Sequence, residues 1–359
     1  MSMYRKKIIT ALLSGALFFA PFLVASALTI APARIEINGN PGQMLKGTYI
    51  IVNEQDTEKT FYSSFENFEA QGETGTPNFV EAQEGLATWI DSAKQITIKP
   101  GETIKLDYSI TIPHGADPGG HFAAIFWGTT NPNVAEDSEK QVSIGAKIGV
   151  IILLRVNGDI EEGGGIIAFE TVGQKFDTGA GVLAGAGGAL TTKKFFTTLP
   201  IDFVYRFQNS GGDRIKPEGI ITIKNTFGIT TSVLDANPQK GNILPQSVRK
   251  YSIHWNGVDD NDEDPDGRLE PPKGFFSTAI YQAKHFAFGM YRTELELTYG
   301  AGEELMSAAG FTFFVVPWQL LTLVVLGGLL VLRLLKGYNQ MIIRQAQKAN
   351  VDVQLKNTE

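Results

Sequence analysis

Phe311 to Leu332 is a run of 22 residues without a charged side chain. As a helix it extends about 33 Å, the thickness of a bilayer core. Nothing C-terminal to the run is large enough to cover it, which argues against a buried core helix. Pro317 suits the first turn of such a helix and Trp318 the interfacial belt. Arg333, Lys336, Arg344 and Lys348 follow the run, whereas Glu303 and Glu304 precede it. Positive flanks stay in the cytoplasm, so the sequence predicts a single-pass type I protein of the cell membrane. The transmembrane helix is placed at 311–335 and the cytoplasmic tail at 336–359. Tyr338 to Ala349 has amphipathic character, but a plain stop-transfer tail accounts for it.

The other end carries a second apolar run. Arg5, Lys6 and Lys7 precede Ile8–Val24, and Ala25-Ser26-Ala27 is a small-x-small cleavage pattern. This predicts a signal peptide over residues 1–27, leaving Leu28 as the new N-terminus. The chain has 359 residues, no cysteine and a net charge of −7. The length suits two domains. The missing cysteines exclude a disulfide framework, a thiolate zinc site and a cysteine nucleophile. The acidic balance argues against nucleic-acid binding. Divided by compartment, segment 28–332 holds 23 bases and 36 acids, and the tail from 333 holds five bases and two acids. The exported part is therefore strongly acidic and the tail basic.

Between the ends the pattern is strand-like. Gln95–Ile98 alternates, Lys99-Pro100-Gly101-Glu102 is a turn, and Ile104, Leu106, Tyr108, Ile110 and Ile112 share one face of the next strand. Leu28–Ile37, Met44–Val52, Thr60–Phe68, Phe122–Gly128 and Lys147–Val156 are further strand candidates, and no long 3.6-residue period appears. The Gly-rich stretch 158–188 reads as a linker or loop. Landmarks recur across it. Asn53, Pro100 and Gly119-Gly120 in the first half answer to Asn209, Pro245 and Gly289 in the second. The expected fold is all-β: two tandem Ig-like β-sandwich domains at 28–157 and 158–308. Unequal spacings place an insertion in the second domain, containing the acidic run Asp259–Asp266.

Two segments are candidate sites. Asp262, Asp264, Asp266 and Gly267 match the start of a calcium loop, in which alternate oxygens face a hard cation. Lys273 stands where the closing bidentate Glu is expected, so a solvated acidic loop is the competing reading and any Ca²⁺ site a weak one; no other cofactor is expected. The segment Gly119–Trp127 is apolar on both strand faces. One face belongs to the core, and Ala123, Ile125 and Trp127 are the candidate ligand or interface surface, with Trp127 available for glycan stacking. His114, His121, His254 and His285 lack metal-ligand spacing, and no nucleophile elbow, phosphate loop or zinc-protease helix is present. No catalytic residues are assigned, and the chain is read as non-enzymatic.

The layout resembles the WxL-interacting proteins of Gram-positive-type bacterial cell surfaces. The resemblance rests on Leu28-Thr29-Ile30-Ala31-Pro32-Ala33-Arg34, Pro118–Ile125, Arg206–Gly211, Leu244-Pro245, Phe288-Gly289-Met290-Tyr291 and Val316-Pro317-Trp318. It implies a peptidoglycan-binding first domain and a second domain that docks a surface protein. The expected function is thus a membrane-anchored scaffold holding cell-wall peptidoglycan, another glycan or a surface protein partner. The alternative is a calcium-dependent adhesion or sensor module using 259–267. A hydrolase with dispersed carboxylates is a third reading.

Overall fold

A computed structural model of the protein describes residues 28–130, 147–172, 194–257, 270–300 and 304–356. The expected signal peptide, 1–27, lies outside the described residues. The chain is mostly β-strand with one long C-terminal helix. It divides into two units, one of residues 1–69 and 79–159, the other of Ala70–Asn78 and 160–359.

Two sheets make up the first unit, apart from a stretch of the second sheet that falls in Ala70–Asn78. Strands β1 (Leu28–Ala31), β3 (Met44–Asn53), β8 (Thr103–Thr111) and β6 (Ile90–Ser92) form one, in the order β1-β3-β8-β6. The other runs β2 (Arg34–Gly39), β10 (Lys147–Val156), β9 (Gly119–Gly128), β4 (Lys59–Gln71) and β5 (Thr76–Glu81), with β7 (Gln95–Ile98) also pairing β4. The end of β4 and the start of β5 are the stretch in Ala70–Asn78. A single turn of helix, α1 (Leu86–Trp89), precedes β6. Alternation decides what turns inward: in β8, Leu106, Tyr108 and Ile110 are buried between exposed Lys105, Asp107 and Thr111. They join Tyr49, Ile51, Phe61, Ile98, Trp127 and Ile152 in one core. Each fully buried side chain of this size stabilises by about 1.5–3 kcal/mol relative to exposure.

The second unit repeats the plan. Its smaller sheet is β11 (Gly164–Thr171), β13 (Ile201–Asn209) and β16 (Ser247–Trp255). Its larger sheet runs β12 (Phe195–Phe196), β18 (Leu305–Val315), β17 (Gly289–Tyr299), β14 (Glu218–Lys224) and β15 (Thr230–Asp235). Phe203, Tyr205, Phe207, Trp255, Leu295 and Phe313 centre its core. The Gly-rich stretch is therefore not wholly linker, because Gly164 and Gly165 open β11. A Cβ on Gly164 would stand 2.6 Å from the Gln208 carbonyl oxygen, so glycine lets β11 close on β13.

The landmark repeat has an atomic basis. Asn53 and Asn209 are both fully buried at strand ends. The Asn53 amide donates to the carbonyls of Thr57 and Ile98, each at 2.9 Å, and accepts from the Gln55 N–H at 3.1 Å. The Asn209 amide donates to Asp213 at 2.7 Å and Ile243 at 3.0 Å, and accepts from the Gly211 N–H at 2.9 Å. Two residues after each isoleucine comes a proline, then a residue of positive φ, Gly101 at 69° and Gln246 at 53°. The aromatic strands β9 and β17 each open on a positive-φ glycine, Gly119 at 123° and Gly289 at 103°.

Two elements differ from expectation. Phe311–Val315 belong to β18, where Phe313 and Val315 face the core, so the helix does not begin at 311. It begins at Trp318, with Val316 and Pro317 between it and the strand, and continues as α3 (Trp318–Lys356). Within it, Trp318–Gln345 is long and apolar enough to cross a membrane, its most apolar 18 residues having a mean hydropathy of 2.0. The second difference is α2 (Phe275–Lys284), a helix inside the insertion of the second unit.

Candidate functional site

β9 and β10 are apolar on both faces, whereas an antiparallel sheet that meets water on one side alternates apolar and polar. In β9 the core takes Ala123, Ile125 and Trp127, none of which retains any exposure. The Trp127 indole N–H donates to the Tyr49 hydroxyl at 3.0 Å, and that hydroxyl is 3.1 Å from the Ser92 hydroxyl. Burial pushes the Tyr49 phenol up, against the lowering effect of these two bonds. The expected ligand surface at Ala123, Ile125 and Trp127 is therefore corrected. These residues are core, and a glycan has no path to the Trp127 ring.

The opposite face carries the candidate site. Cross-strand register puts Phe122 opposite Leu153, Ala124 opposite Ile151 and Phe126 opposite Gly149. A Cβ on Gly149 would approach the Phe126 ring to 2.6 Å, so glycine leaves the ring its space. The rings form a chain across the sheet. Phe126 meets Phe79 edge-on at 4.8 Å, Phe79 meets Phe68 at 5.7 Å, and Phe68 meets Phe122 at 5.8 Å. Such contacts add about 0.5–1.5 kcal/mol each beyond area burial. The rim is charged and paired. Lys147 reaches Glu66 at 3.0 Å and lies 6.0 Å above the Phe126 ring, and Arg34 pairs with Glu36 at 3.0 Å. Phe79 and Val80 remain partly exposed on β5, the strand that ends the sheet. The geometry is thus an aromatic face beside a sheet edge.

A second feature is polar. A groove of about 560 Å³ lies over the four-stranded sheet, lined by Lys46, Thr48, Asp91, Asp107, Tyr108 and Ser109, among others. Gly47 allows the Tyr108 ring to lie across β3, since a Cβ there would overlap the phenol. The groove is shallow and its lining contains no histidine. Elsewhere, His254 bonds Asp202 across β16 and β13 at 2.8 Å, and His121 bonds the Asp117 carbonyl at 2.9 Å. Among the described residues, no group of three or more His, Cys, Asp or Glu side chains is placed to hold a metal. Asp262, Asp264 and Asp266 lie outside the described residues.

No family model and no curated protein matches the chain. Solved structures do align with it. The class 5 fimbriae chaperone CfaA covers 81% of this chain and 100% of its own, with 9% identity and a TM-score of 0.35. The CsuC–CsuE chaperone–tip adhesion subunit complex of Acinetobacter baumannii covers 81% and 100%, with 10% identity and a TM-score of 0.34. The E. coli chaperone DraB covers 79% and 98%, with 11% identity and a TM-score of 0.30. These neighbours are fimbrial chaperones and not WxL-interacting proteins. The expected family is corrected accordingly, and with it peptidoglycan as ligand and the glycan-tethering scaffold as function.

Signals for the aromatic face were present in the sequence. Phe68 and Phe79 stand on strands flanked by turn residues, and both faces of β9 are apolar. What the sequence lacked was the partner of each ring.

Proposed function

We propose that this chain is a non-enzymatic, chaperone-like protein that receives an extended apolar segment of another protein on its first unit. The segment adds along β5 and sets alternate side chains on the face made by Phe68, Phe79, Phe122 and Phe126. The observation that carries this reading is that β9 and β10 are apolar on the side away from the core, in a sheet that ends at β5 with only β4 between β9 and that edge. A sheet edge supplies backbone N–H and C=O groups for strand addition, and an adjacent apolar face supplies selectivity for every second side chain. The paired charges of the rim suit the border of a protein interface. Each unit, with two sheets around one core, is read as an Ig-like sandwich. The helix α3 crosses a membrane once, with both sandwiches outside and the basic tail inside.

The test is binding of a fluorescent peptide of alternating apolar and polar residues to the full-length chain in lipid nanodiscs. The double variant Phe79→Ser/Phe126→Ser removes two rings of the face and leaves the core untouched. Affinity is expected to fall at least about tenfold, the effect of losing about 1.4 kcal/mol at a binding hot spot. Equal binding by variant and wild type, or no binding by either, overturns the reading.

A further inference from the structure

The second unit exposes a different set of large apolar side chains, gathered at one end. Phe276 and Ile280 occupy the outer face of α2 at 68% and 59% exposure, and Phe286 and Phe288, between α2 and β17, are 56% and 53% exposed. On β12, Phe195 stacks on Phe314 with ring centres 5.1 Å apart. Phe227, 85% exposed, tips the β14–β15 hairpin. The hairpin is held beside β17 by Thr226, whose hydroxyl donates to the Met290 carbonyl and accepts from the Met290 N–H, both at 3.0 Å.

All of these residues surround the point at which the chain becomes α3. Phe195 and Phe196 pair with Phe314 and Val315, and Gly289 pairs with Val315, so β12, β17 and β18 share that end. The helix α2 is fixed to the start of α3. The Gln282 amide donates to the Gln319 side chain at 2.6 Å and to the Thr197 carbonyl at 2.8 Å, and accepts from the Leu320 N–H at 3.0 Å. Phe275 meets Trp318 at 5.6 Å. α2 therefore buries Ala279 and Gln282 against the unit and turns Phe276 and Ile280 outward. A soluble surface rarely gathers apolar side chains of this size in one place.

We infer that this end of the second unit is seated in the headgroup–acyl boundary of the bilayer, with α2 lying in the interface. The occupant of the apolar surface is lipid. The inference rests on the reading of α3 as a spanning helix. If α3 crosses the bilayer, the residues fixed to its first turn are at the membrane surface, and an apolar ring there meets lipid before any other partner. Aromatic side chains favour that zone because their faces are apolar and their rims tolerate water. Lys273, two residues before α2, and Lys284, its last residue, flank the helix. Their long stems let the charges rise to the headgroups while Phe276 and Ile280 go deeper.

The natural chain has no cysteine, so a single engineered thiol labels one site. Phe276→Cys, Ile280→Cys and Phe288→Cys, each carrying a fluorophore, are reconstituted as full-length protein in phosphatidylcholine vesicles containing brominated lipid. Met306→Cys is the distant control, since β18 places it about 30 Å along the strand from Val315. Leu326→Cys, inside α3, reports on spanning. All five positions are exposed. The expected result is strong quenching at 326 and quenching at 276, 280 and 288 several-fold above that at 306. Quenching at 326 with none above the control at the other three overturns the inference and leaves α3 spanning. No quenching at 326 overturns the spanning reading and this inference with it.

Discussion

Asn53 and Asn209 are buried and bridge backbone groups of the same kind of loop in the two units. Each satisfies two carbonyls and one N–H that water does not reach easily. Replacing Asn209 by Ala leaves the Asp213 and Ile243 carbonyls and the Gly211 N–H without that partner. The expected cost is about 2–4 kcal/mol, from the desolvation of stranded polar groups, measured by denaturant unfolding. Tyr205 and Tyr251 offer a pH signature. Their rings stack at 4.7 Å, and their hydroxyls donate to the carbonyls of Ala236 at 2.8 Å and Gly241 at 3.0 Å. Burial pushes both phenols well above the ordinary tyrosine range; Arg249 opposes this. The folded state keeps these protons, whereas the unfolded phenols lose them near pH about 10. Their contribution is therefore complete below pH about 10 and is lost as pH rises beyond it. Tyr251→Phe should flatten the alkaline fall in melting temperature, and an unchanged slope would refute the assignment.

At the scale of elements, glycines decide where strands can meet. A Cβ on Gly219 would run into the Glu296 carbonyl oxygen across the β14–β17 pair. Gly289 opens β17 at a φ of 103°, where side chains other than glycine are strained. Gly289→Ala should cost about 1–3 kcal/mol, read from the thermal unfolding of the purified chain, whereas Gly101→Ala, also of positive φ but facing open space, isolates the backbone component. Much of this level could be read from the sequence. Alternation in Thr103–Thr111, the Pro-centred turns and the recurring Asn and Gly landmarks correspond to strands and turns in both units. Other features depended on partners distant in the chain. β9 is apolar on both sides, so a period of two cannot say which side turns inward. The Tyr49 hydroxyl that receives the Trp127 N–H and the space over Gly149 for Phe126 settle it. Hydropathy likewise joined Phe311–Val315 to the helix. Pairing with β17 makes that segment a strand, and Pro317 separates the two. α2 has no long period of its own and is held by Gln282 and Phe275 against neighbours remote in sequence.

For the whole molecule, the division of charge predicts the topology. The tail from Arg333 carries five bases against two acids, and such flanks are retained on the cytoplasmic side. In sealed right-side-out vesicles, external protease should leave an epitope fused after Glu359 intact, and cleavage of that epitope would reverse the orientation. The two residues between β18 and α3, Val316 and Pro317, have a further consequence. The Val316 N–H donates to the Phe196 carbonyl at 2.8 Å and the Trp318 N–H to the Val316 carbonyl at 2.8 Å, so little slack remains in the joint. β18 is flanked by β12 and β17 and pairs with β17 along all 11 of its residues. A pull on the helix therefore enters the sheet along the strand axis and loads the ladder in shear, with its hydrogen bonds sharing the force. The mount is stiff, and if α3 spans a membrane, tension along it reaches the second unit with almost no play.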